Sequence, residues 1–353
     1  MFSADYATAR ARFRASALRH DVAIEALPIT ARGPNHEDLN IDIAWLGARN
    51  ARRIILHITG VHGVEAYAGS ATQLALLAVP PALPADGALV LVHVLNPYGM
   101  AWLRRTNENN VDLNRNFLPD SASWTGAPPL YRKLDRLLNP ASPPVRDGFG
   151  LRLAVRSLRH GIHAMHQAIA HGQHRYPEGL FYGGAELQQG PRQFCAWLQQ
   201  RLAKAESVFV IDMHTGLGRH GASTLIVEPG TGTATTAELE AALAQPVTGG
   251  TAAPAAYTVR GSLGAALPRL LPGLSLKFIL QEIGTWSSLH VLHALRNENR
   301  WHHHGVGHLD HPAKRQLREA LCPASTEWRN AAVAHGSDLV YRAADYLFGR
   351  SRA

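Results

Sequence analysis

The sequence predicts an α/β fold, a mixed, mostly parallel, twisted sheet with helices on both faces. Segments 53–59, 88–95 and 207–212 are almost continuously apolar, as strands are when helices cover both faces of their sheet. Segments of helical character stand between them, and this alternation favours parallel strands. We find no internal repeat and no linker. The whole chain, 1–353, is therefore predicted to be a single domain, with its motifs between about 50 and 300.

The N-terminal third begins with a helical pattern and continues with strands. Tyr6, Ala9 and Phe13 share one face of a helix predicted over 3–18. Apolar and polar residues alternate over 39–45, which is typical of a strand with one buried face. The predicted elements are a helix at 3–18, strands at 23–27, 39–45 and 53–59, a helix at 66–78 and a strand at 88–95.

The rest of the chain alternates in the same way after a proline-rich, irregular segment at 119–150. The predicted elements are helices at 131–138, 151–171 and 192–205, strands at 207–212 and 224–228, a helix at 234–244, a strand at 276–282, and helices at 288–299 and 326–348. The small-residue stretch 248–256 is predicted to be an exposed loop. The histidines of 302–308 are predicted to lie in a solvated loop that binds only adventitious metal.

Composition argues against several classes of protein. With 46% hydrophobic and 18% charged residues, a chain of 353 residues can bury a core. No apolar stretch approaches the roughly 20 residues of a membrane helix, and residues 1–20 lack the apolar core of a signal peptide. We therefore expect a cytoplasmic protein without a membrane partner. The two cysteines, Cys195 and Cys322, fit a reducing compartment.

The formal net charge is +8, which can indicate a nucleic-acid partner. Here the arginines are scattered, with no cluster larger than pairs such as Arg52-Arg53 and Arg104-Arg105. Net charge alone speaks to association and does not define a site. We therefore expect no nucleic-acid partner.

The most informative stretch follows the strand at 53–59 and carries His62 and Glu65 in a glycine-rich loop. An imidazole nitrogen and a carboxylate oxygen suit a catalytic zinc ion, which takes three protein ligands and keeps one open position. His214, at the end of another predicted strand, is the candidate for the third ligand. By itself His-x-x-Glu is a weak signal in a chain with 20 histidines, and a polar loop with an unligated histidine is the alternative.

Further polar groups follow other strands. Segment 104–117 interleaves arginine with asparagine, and these side chains together form a good carboxylate receptor, although a solvated loop would also explain them. Glu282 ends the strand at 276–282. Ligand sites in open α/β sheets lie at the carboxyl ends of strands. A zinc ion, a carboxylate that serves as general base and a nearby cation are the parts that a metallohydrolase needs.

Together these segments resemble the zinc carboxypeptidase family over roughly 50–300. Segment 60–65, Gly-Val-His-Gly-Val-Glu, matches the first two metal ligands of that family. Segment 96–99 resembles its Asn-Pro-Asp-Gly turn, and 105–117 is close to the Arg/Asn motif of the bacterial members. Asp-Met-His at 212–214 and Gln-Glu-Ile-Gly at 281–284 are also similar to the aspartoacylase and succinylglutamate desuccinylase branch. The combination looks most like a bacterial group of carboxypeptidase-like proteins.

The resemblance implies a role for each matching residue. The implied ligands of one zinc ion per chain are His62, Glu65 and His214. Glu282 would be the general base, and Arg105 would polarise the scissile carbonyl. Asn114 and Arg115 would hold the terminal carboxylate of the substrate. Asp212 could orient His214 from the same face of its strand, or could be a hydrogen-bond acceptor at the strand end.

The sequence departs from the family pattern at two points. Tyr98 stands where the turn of the family usually carries aspartate. The peptidases also place a tyrosine about twenty residues before the base. Tyr257 is the candidate for this substrate-binding tyrosine, and Tyr182 is its rival. The deacylase branch lacks that tyrosine. Whether a tyrosine joins the site therefore bears on whether the protein is a peptidase or a deacylase.

Three functions remain open. The first is a zinc-dependent hydrolase that cleaves an amide bond next to a carboxylate, namely a metallocarboxypeptidase acting on small peptides. The second is a zinc-dependent deacylase acting on N-acyl amino acids with a free carboxylate. The third is a zinc-binding protein without catalysis, against which the presence of Glu282 and Arg105 argues.

Overall fold

The structure, a computed structural model, describes residues 1–119, 124–228, 230–231, 234–249, 259–307 and 309–349. Its strands are β1 (Ile24–Arg32), β2 (Asp38–Gly47), β3 (Arg53–Thr59), β4 (Gly87–His93), β5 (Ser207–Gly216), β6 (Ser223–Val227), β7 (Val247–Gly249) and β8 (Ser275–Gly284). Its helices are α1 (Tyr6–Leu18), α2 (Ala66–Ala78), α3 (Pro97–Ala101), α4 (Pro129–Leu138), α5 (Phe149–His160), α6 (Ile162–Ala170), α7 (Gln189–Arg201), α8 (Thr236–Leu243), α9 (Leu263–Leu270), α10 (Ser288–His304), α11 (Pro312–Leu321) and α12 (Thr326–Phe348).

The strands form one sheet in the order β1-β2-β4-β3-β5-β8-β6-β7. The four central strands β4, β3, β5 and β8 are parallel to one another. At one edge β2 pairs antiparallel with β4, and β1 completes a hairpin with β2. At the other edge β6 runs antiparallel to β8 and parallel to β7. The predicted mixed, mostly parallel sheet is confirmed.

Apolar side chains of the central strands pack into two hydrophobic cores, one on each face of the sheet. Ile54 and Leu56 of β3 belong to a core closed by α7 and α9. Ile55, between them, points to a second core closed by α1, α2, α8 and α12. Because successive side chains of a strand point to opposite faces, a continuously apolar strand is buried on both sides. Helices therefore cover both faces, as predicted.

Several predicted elements have different bounds in the structure. The helix predicted over 151–171 is wrong as a single helix, because Gly161 adopts φ +83° between α5 and α6. The solvated loop predicted for the histidines is wrong for 302–304, which form the last turn of α10, while His308 lies outside the described residues. Thr248 and Gly249 form part of β7 rather than a loop, and 250–256 lie outside the description. Helices α9 and α11 are absent from the prediction, and α3 begins where the sequence predicts a turn.

A helix that crosses a bilayer needs about 20 predominantly apolar residues. Among the helices of the described residues, none is both long enough and apolar enough to span a membrane.

Candidate active site

The sheet brings the ends of three parallel strands to one place. In the register of β3 and β5, Thr59 pairs with Met213, and in that of β5 and β8, His214 pairs directly with Glu282. Neighbouring strands lie about 4.8 Å apart. His214 and Glu282 are therefore adjacent, and the loop that follows Thr59 starts beside them.

That loop depends on glycine at two positions. Gly60 turns the chain with φ +69°, in the left-handed region that glycine adopts without strain. A Cβ atom on Gly63 would lie 2.0 Å from the carbonyl carbon of Gly99, so no larger residue fits there. The amides of Gly63 and Val64 donate to the carbonyl oxygens of Arg105 (3.1 Å) and Arg104 (2.9 Å). The loop is therefore attached to the arginine segment by its backbone.

The three predicted metal ligands meet after this loop. His62 Nδ1 lies 2.9 Å from Glu65 Oε1, and His214 Nδ1 lies 3.2 Å from Glu65 Oε2. The two Nδ1 atoms are 3.1 Å apart. All three side chains are at most 4% exposed. They form a buried group whose ligand atoms lie within 4.8 Å of one another.

Each histidine has a carboxylate on its outer nitrogen. His62 Nε2 is 3.1 Å from Asp112 Oδ1, in hydrogen-bond geometry. Asp212 Oδ2 lies 2.9 Å from His214 Nε2, close in distance although not aligned as a hydrogen bond. Metal-binding histidines commonly donate their outer N–H to a carboxylate, which fixes the tautomer and ring orientation. Asp212 thus occupies the orienting position considered for it, and Asp112 is a residue that sequence reasoning missed.

The donor set fits a zinc ion. If the outer N–H of each histidine faces its aspartate, the two Nδ1 lone pairs face each other at 3.1 Å and repel. A cation between them, with the Glu65 carboxylate as third ligand, removes this repulsion. Two imidazole nitrogens and one carboxylate make up a known three-ligand set of catalytic zinc sites.

The pKa values of Glu65 and His214 are set by the charged groups that each one contacts. Burial by itself would raise the pKa of Glu65, but His62 and His214 outweigh it and hold that pKa well below its usual value. Burial would lower the pKa of His214, but Asp212 and Glu65 raise it well above its usual value. Glu65 is therefore held as the carboxylate anion, the form in which it can coordinate a metal ion.

Glu282 is a carboxylate beside this group rather than a member of it. Burial raises its pKa to about 7, against the opposing effect of nearby His214. Its Oε2 accepts a hydrogen bond from the Leu217 amide at 3.3 Å. The residue is 8% exposed and lines the same cavity as His62 and His214. A carboxylate with a pKa near neutrality is suited to exchange protons at physiological pH.

Arg105 lies against the predicted ligands. Its Nη1 donates to Glu65 Oε1 at 3.1 Å and its Nε to Asp112 Oδ2 at 3.0 Å. The guanidinium also lies over the Phe181 ring, 5.4 Å from its centroid. The side chain is 15% exposed and lines the cavity. It thus holds a positive charge at the wall beside the predicted metal ligands.

The residues predicted to hold a terminal carboxylate line the cavity as well. Arg115 is 3% exposed, and its Nε donates to the carbonyl oxygen of Ala170 at 2.9 Å. Its Nη1 donates to the Asn114 carbonyl at 3.0 Å. The side-chain oxygen of Asn114 accepts from the Leu263 amide at 3.0 Å. These contacts fix both side chains in place at the cavity wall.

The tyrosines of the sequence analysis are placed differently. Tyr257 lies outside the described residues. Tyr182 is 8% exposed and belongs to the core on the α7 face. Tyr98 stacks against Trp102, with ring centroids 5.8 Å apart. Neither Tyr182 nor Tyr98 lines the cavity in the described part of the chain.

The cavity has a volume of about 440 Å³, within the range of roughly 300–1,000 Å³ typical of small-molecule sites. Away from the polar end its walls are mainly apolar, with side chains from α6 and α10 that include Met165, Ile169, Leu292 and Leu295. Glu228 lines it too, and burial raises the pKa of this carboxyl. Sequence reasoning gave Glu228 no role, since its position at the end of a predicted strand was the only signal.

Comparisons with known proteins agree with this architecture. Carboxypeptidase A from Helicoverpa armigera aligns over 95% of this chain and 73% of its own, with a TM-score of 0.50 and 11% identity. Thrombin activatable fibrinolysis inhibitor aligns over 98% of this chain and 75% of its own, with a TM-score of 0.54 and 11% identity. At such identities the likeness shows the fold alone.

The sequence itself matches no curated protein. A family model described as "Protein of unknown function (DUF2817)" matches residues 2–335, which is most of the chain. The fold is that of the carboxypeptidase A-like structures, and the chain belongs to the DUF2817 family.

Proposed function

We propose that the protein is a zinc-dependent hydrolase that cleaves an amide bond next to a carboxylate, as a metallocarboxypeptidase acting on peptides. The observation that carries the proposal is the pairing of His214 with Glu282 across two parallel strands, which sets a carboxylate beside the His62–Glu65–His214 group. The shared fold with carboxypeptidase A supports it.

A bound zinc ion would lower the pKa of water and polarise the scissile carbonyl. The protein's own residues would supply the remaining steps. Glu282 would accept the proton of the attacking water at its carboxylate and return it to the leaving amine. Arg105 would stabilise the negative charge that develops on the carbonyl oxygen. Asn114 and Arg115, at the cavity wall, would orient the substrate through its free carboxylate.

A zinc-dependent N-acyl amino acid deacylase is the second candidate. It would use the same groups for the same chemistry and differ in what occupies the far side of the cavity. The apolar walls formed by α6 and α10 favour this candidate, because an acyl chain needs no hydrogen-bond partners from them.

Product analysis by mass spectrometry separates the candidates. The zinc-loaded protein, a chelated sample and the Glu282→Gln variant would each be incubated with mixed peptides and N-acyl amino acids. Loss of single C-terminal residues in the intact sample alone supports the carboxypeptidase. Release of acyl acids with the peptides untouched supports the deacylase. No product at one zinc per chain would contradict both and leave a zinc-binding protein.

We expect Asp112→Asn to weaken zinc binding by about 10–100-fold, the usual effect of removing a carboxylate that orients a metal-binding histidine. Asparagine cannot supply a negative charge to His62 Nε2 and Arg105 Nε together. The affinity can be measured by competition with a chromophoric chelator. Asp86→Asn, at a partly exposed ion pair with Arg53 at the start of β3, away from the strand end that carries the site, is the control and should bind zinc normally. Equal affinity in both variants would contradict the assignment.

A further inference from the structure

Apolar side chains are exposed together in one segment of the protein. The described residues include twelve large apolar side chains that are exposed, and five of these fall within 145–162. These five side chains are 57% to 88% exposed: Val145, Leu151, Val155, Leu158 and Ile162. Single exposed apolar residues are ordinary, but a contiguous set indicates an interaction surface.

Three of these residues form a stripe along α5. Leu151, Val155 and Leu158 follow one another at intervals of four and three, which places them on one face of the helix. Leu153 and Ser157, on the opposite side, face the cavity. Phe149 is the one buried residue of α5. The helix thus rests on the protein by a narrow edge and presents the stripe to solvent.

Positive charge is concentrated in the same segment of the chain. Residues 129–160 contain seven arginines and lysines against two aspartates, so this segment accounts for +5 of the chain's +8. Arg152, Arg156 and Arg159 are exposed beside the stripe. One of the two aspartates, Asp147, is paired with Arg296 and Arg300 of α10. An apolar stripe flanked by arginines is the pattern of a helix that lies in a membrane interface.

The charge distribution favours a lipid surface over the other occupants. A second copy docked by a twofold axis would bring the same three arginines close to their own counterparts. A nucleic acid would engage the arginines and leave the leucines in water. An anionic bilayer satisfies both, because acidic headgroups attract the arginines while the stripe enters the headgroup and acyl boundary.

We propose that α5 and the start of α6 dock the protein onto the surface of an anionic lipid bilayer. Ile162 and Leu289 are 78% and 48% exposed and also line the cavity, so the mouth of the cavity opens beside the docking face. The expectation that the protein has no membrane partner rested on the lack of a spanning segment, which surface docking does not require. This proposal is independent of the proposed hydrolysis.

The test is co-sedimentation of the full chain with vesicles of phosphatidylcholine alone or mixed with phosphatidylglycerol. We expect binding to the mixed vesicles, and we expect it to weaken as salt is added, because salt screens the attraction of the arginines. The Leu151→Asp/Leu158→Asp double variant should bind at least about tenfold more weakly, since it removes two leucines that the bilayer would bury. Val306→Asp, at a residue 91% exposed outside the segment, should bind normally.

A second variant separates the two contributions. Arg152→Gln/Arg156→Gln/Arg159→Gln should lose the preference for anionic over neutral vesicles, and melting temperatures would confirm that every variant is folded. The proposal is overturned if the intact protein does not sediment with mixed vesicles at low salt, or if the double variant sediments equally well. It is also overturned if light scattering shows a dimer that the double variant dissociates, because the stripe would then be a subunit interface.

Discussion

Replacing Glu282 by glutamine is expected to lower kcat by about 10²–10⁴-fold, the contribution of a positioned general base. The amide has the same shape as the carboxylate but cannot accept the proton of the attacking water. The side chain is buried beside His214 and is not part of the His62–Glu65–His214 group. The variant should therefore fold and bind zinc as the unaltered protein does. Steady-state kinetics together with zinc content would check both expectations.

A matched control is available in Glu108→Gln. Burial raises the pKa of Glu108 as it does that of Glu282, but Glu108 does not line the cavity. This variant should keep its activity. If Glu282→Gln retained activity within about threefold of the control, the general-base role would be wrong.

The pH dependence of kcat/KM should also report the ionisation of Glu282. Glu282 must be ionised to act as a base, so kcat/KM should fall as pH falls through its pKa. Burial raises that pKa to about 7, while a bound cation favours the ionised form and lowers it. The acid limb should therefore have its midpoint at or below about 7. A profile without an acid limb would contradict this role.

Replacing Glu298 by alanine is expected to lower the free energy of unfolding by about 3–5 kcal/mol, the usual effect of breaking a buried ion pair. Glu298 Oε1 accepts from Arg104 Nε at 3.0 Å and from Lys314 Nζ at 2.6 Å. All three side chains are at most 5% exposed. Without the carboxylate, two cations stay buried near each other. The midpoint of urea unfolding measures the loss.

The control is an ion pair at the surface. Glu186 and Arg192 are 3.9 Å apart and are 76% and 63% exposed, so Glu186→Ala should change the free energy of unfolding by no more than about 1 kcal/mol. If both variants lost the same free energy of unfolding, the buried ion pairs of Glu298 would stabilise the protein no more than a surface pair does.

The pH dependence of this contribution has a definite sign. Burial alone would raise the pKa of Glu298, but Arg104 and Lys314 outweigh it, so the folded-state pKa is lowered. The stabilisation should be fully present above the ordinary glutamate pKa of about 4.3 and be lost as pH falls through the folded-state value. The difference in the free energy of unfolding between the unaltered protein and the Glu298→Ala variant should therefore become smaller as the pH is lowered. A difference that stayed constant would contradict the pairing.

Much of the candidate site could be predicted because it follows from strand ends. His62, His214 and Glu282 each follow or end an apolar strand, and parallel strands present their carboxyl ends at one edge of a sheet. The bounds of β3, α2 and α12 agree with the predicted segments, since apolar patterning and breakers mark them clearly.

Other parts depend on contacts that local patterns do not record. Asp112 becomes the partner of His62 only through a contact spanning 50 residues. The apolar walls of the cavity come from α6 and α10, which are far apart in the chain. The break at Gly161 was missed because the apolar pattern continues across it, and an isolated glycine is tolerated within a helix.

The backbone bonds from Gly63 and Val64 to the carbonyls of Arg105 and Arg104 have a consequence for metal release. Arg104 is anchored in turn to α10 through Glu298, and Glu298 to α11 through Lys314. The loop that carries His62 therefore cannot open locally without disturbing the contacts that link it to α10 and α11. The amides of Gly63 and Val64 should exchange hydrogen only through a large cooperative opening, and a metal ion bound at this site would dissociate slowly for the same reason.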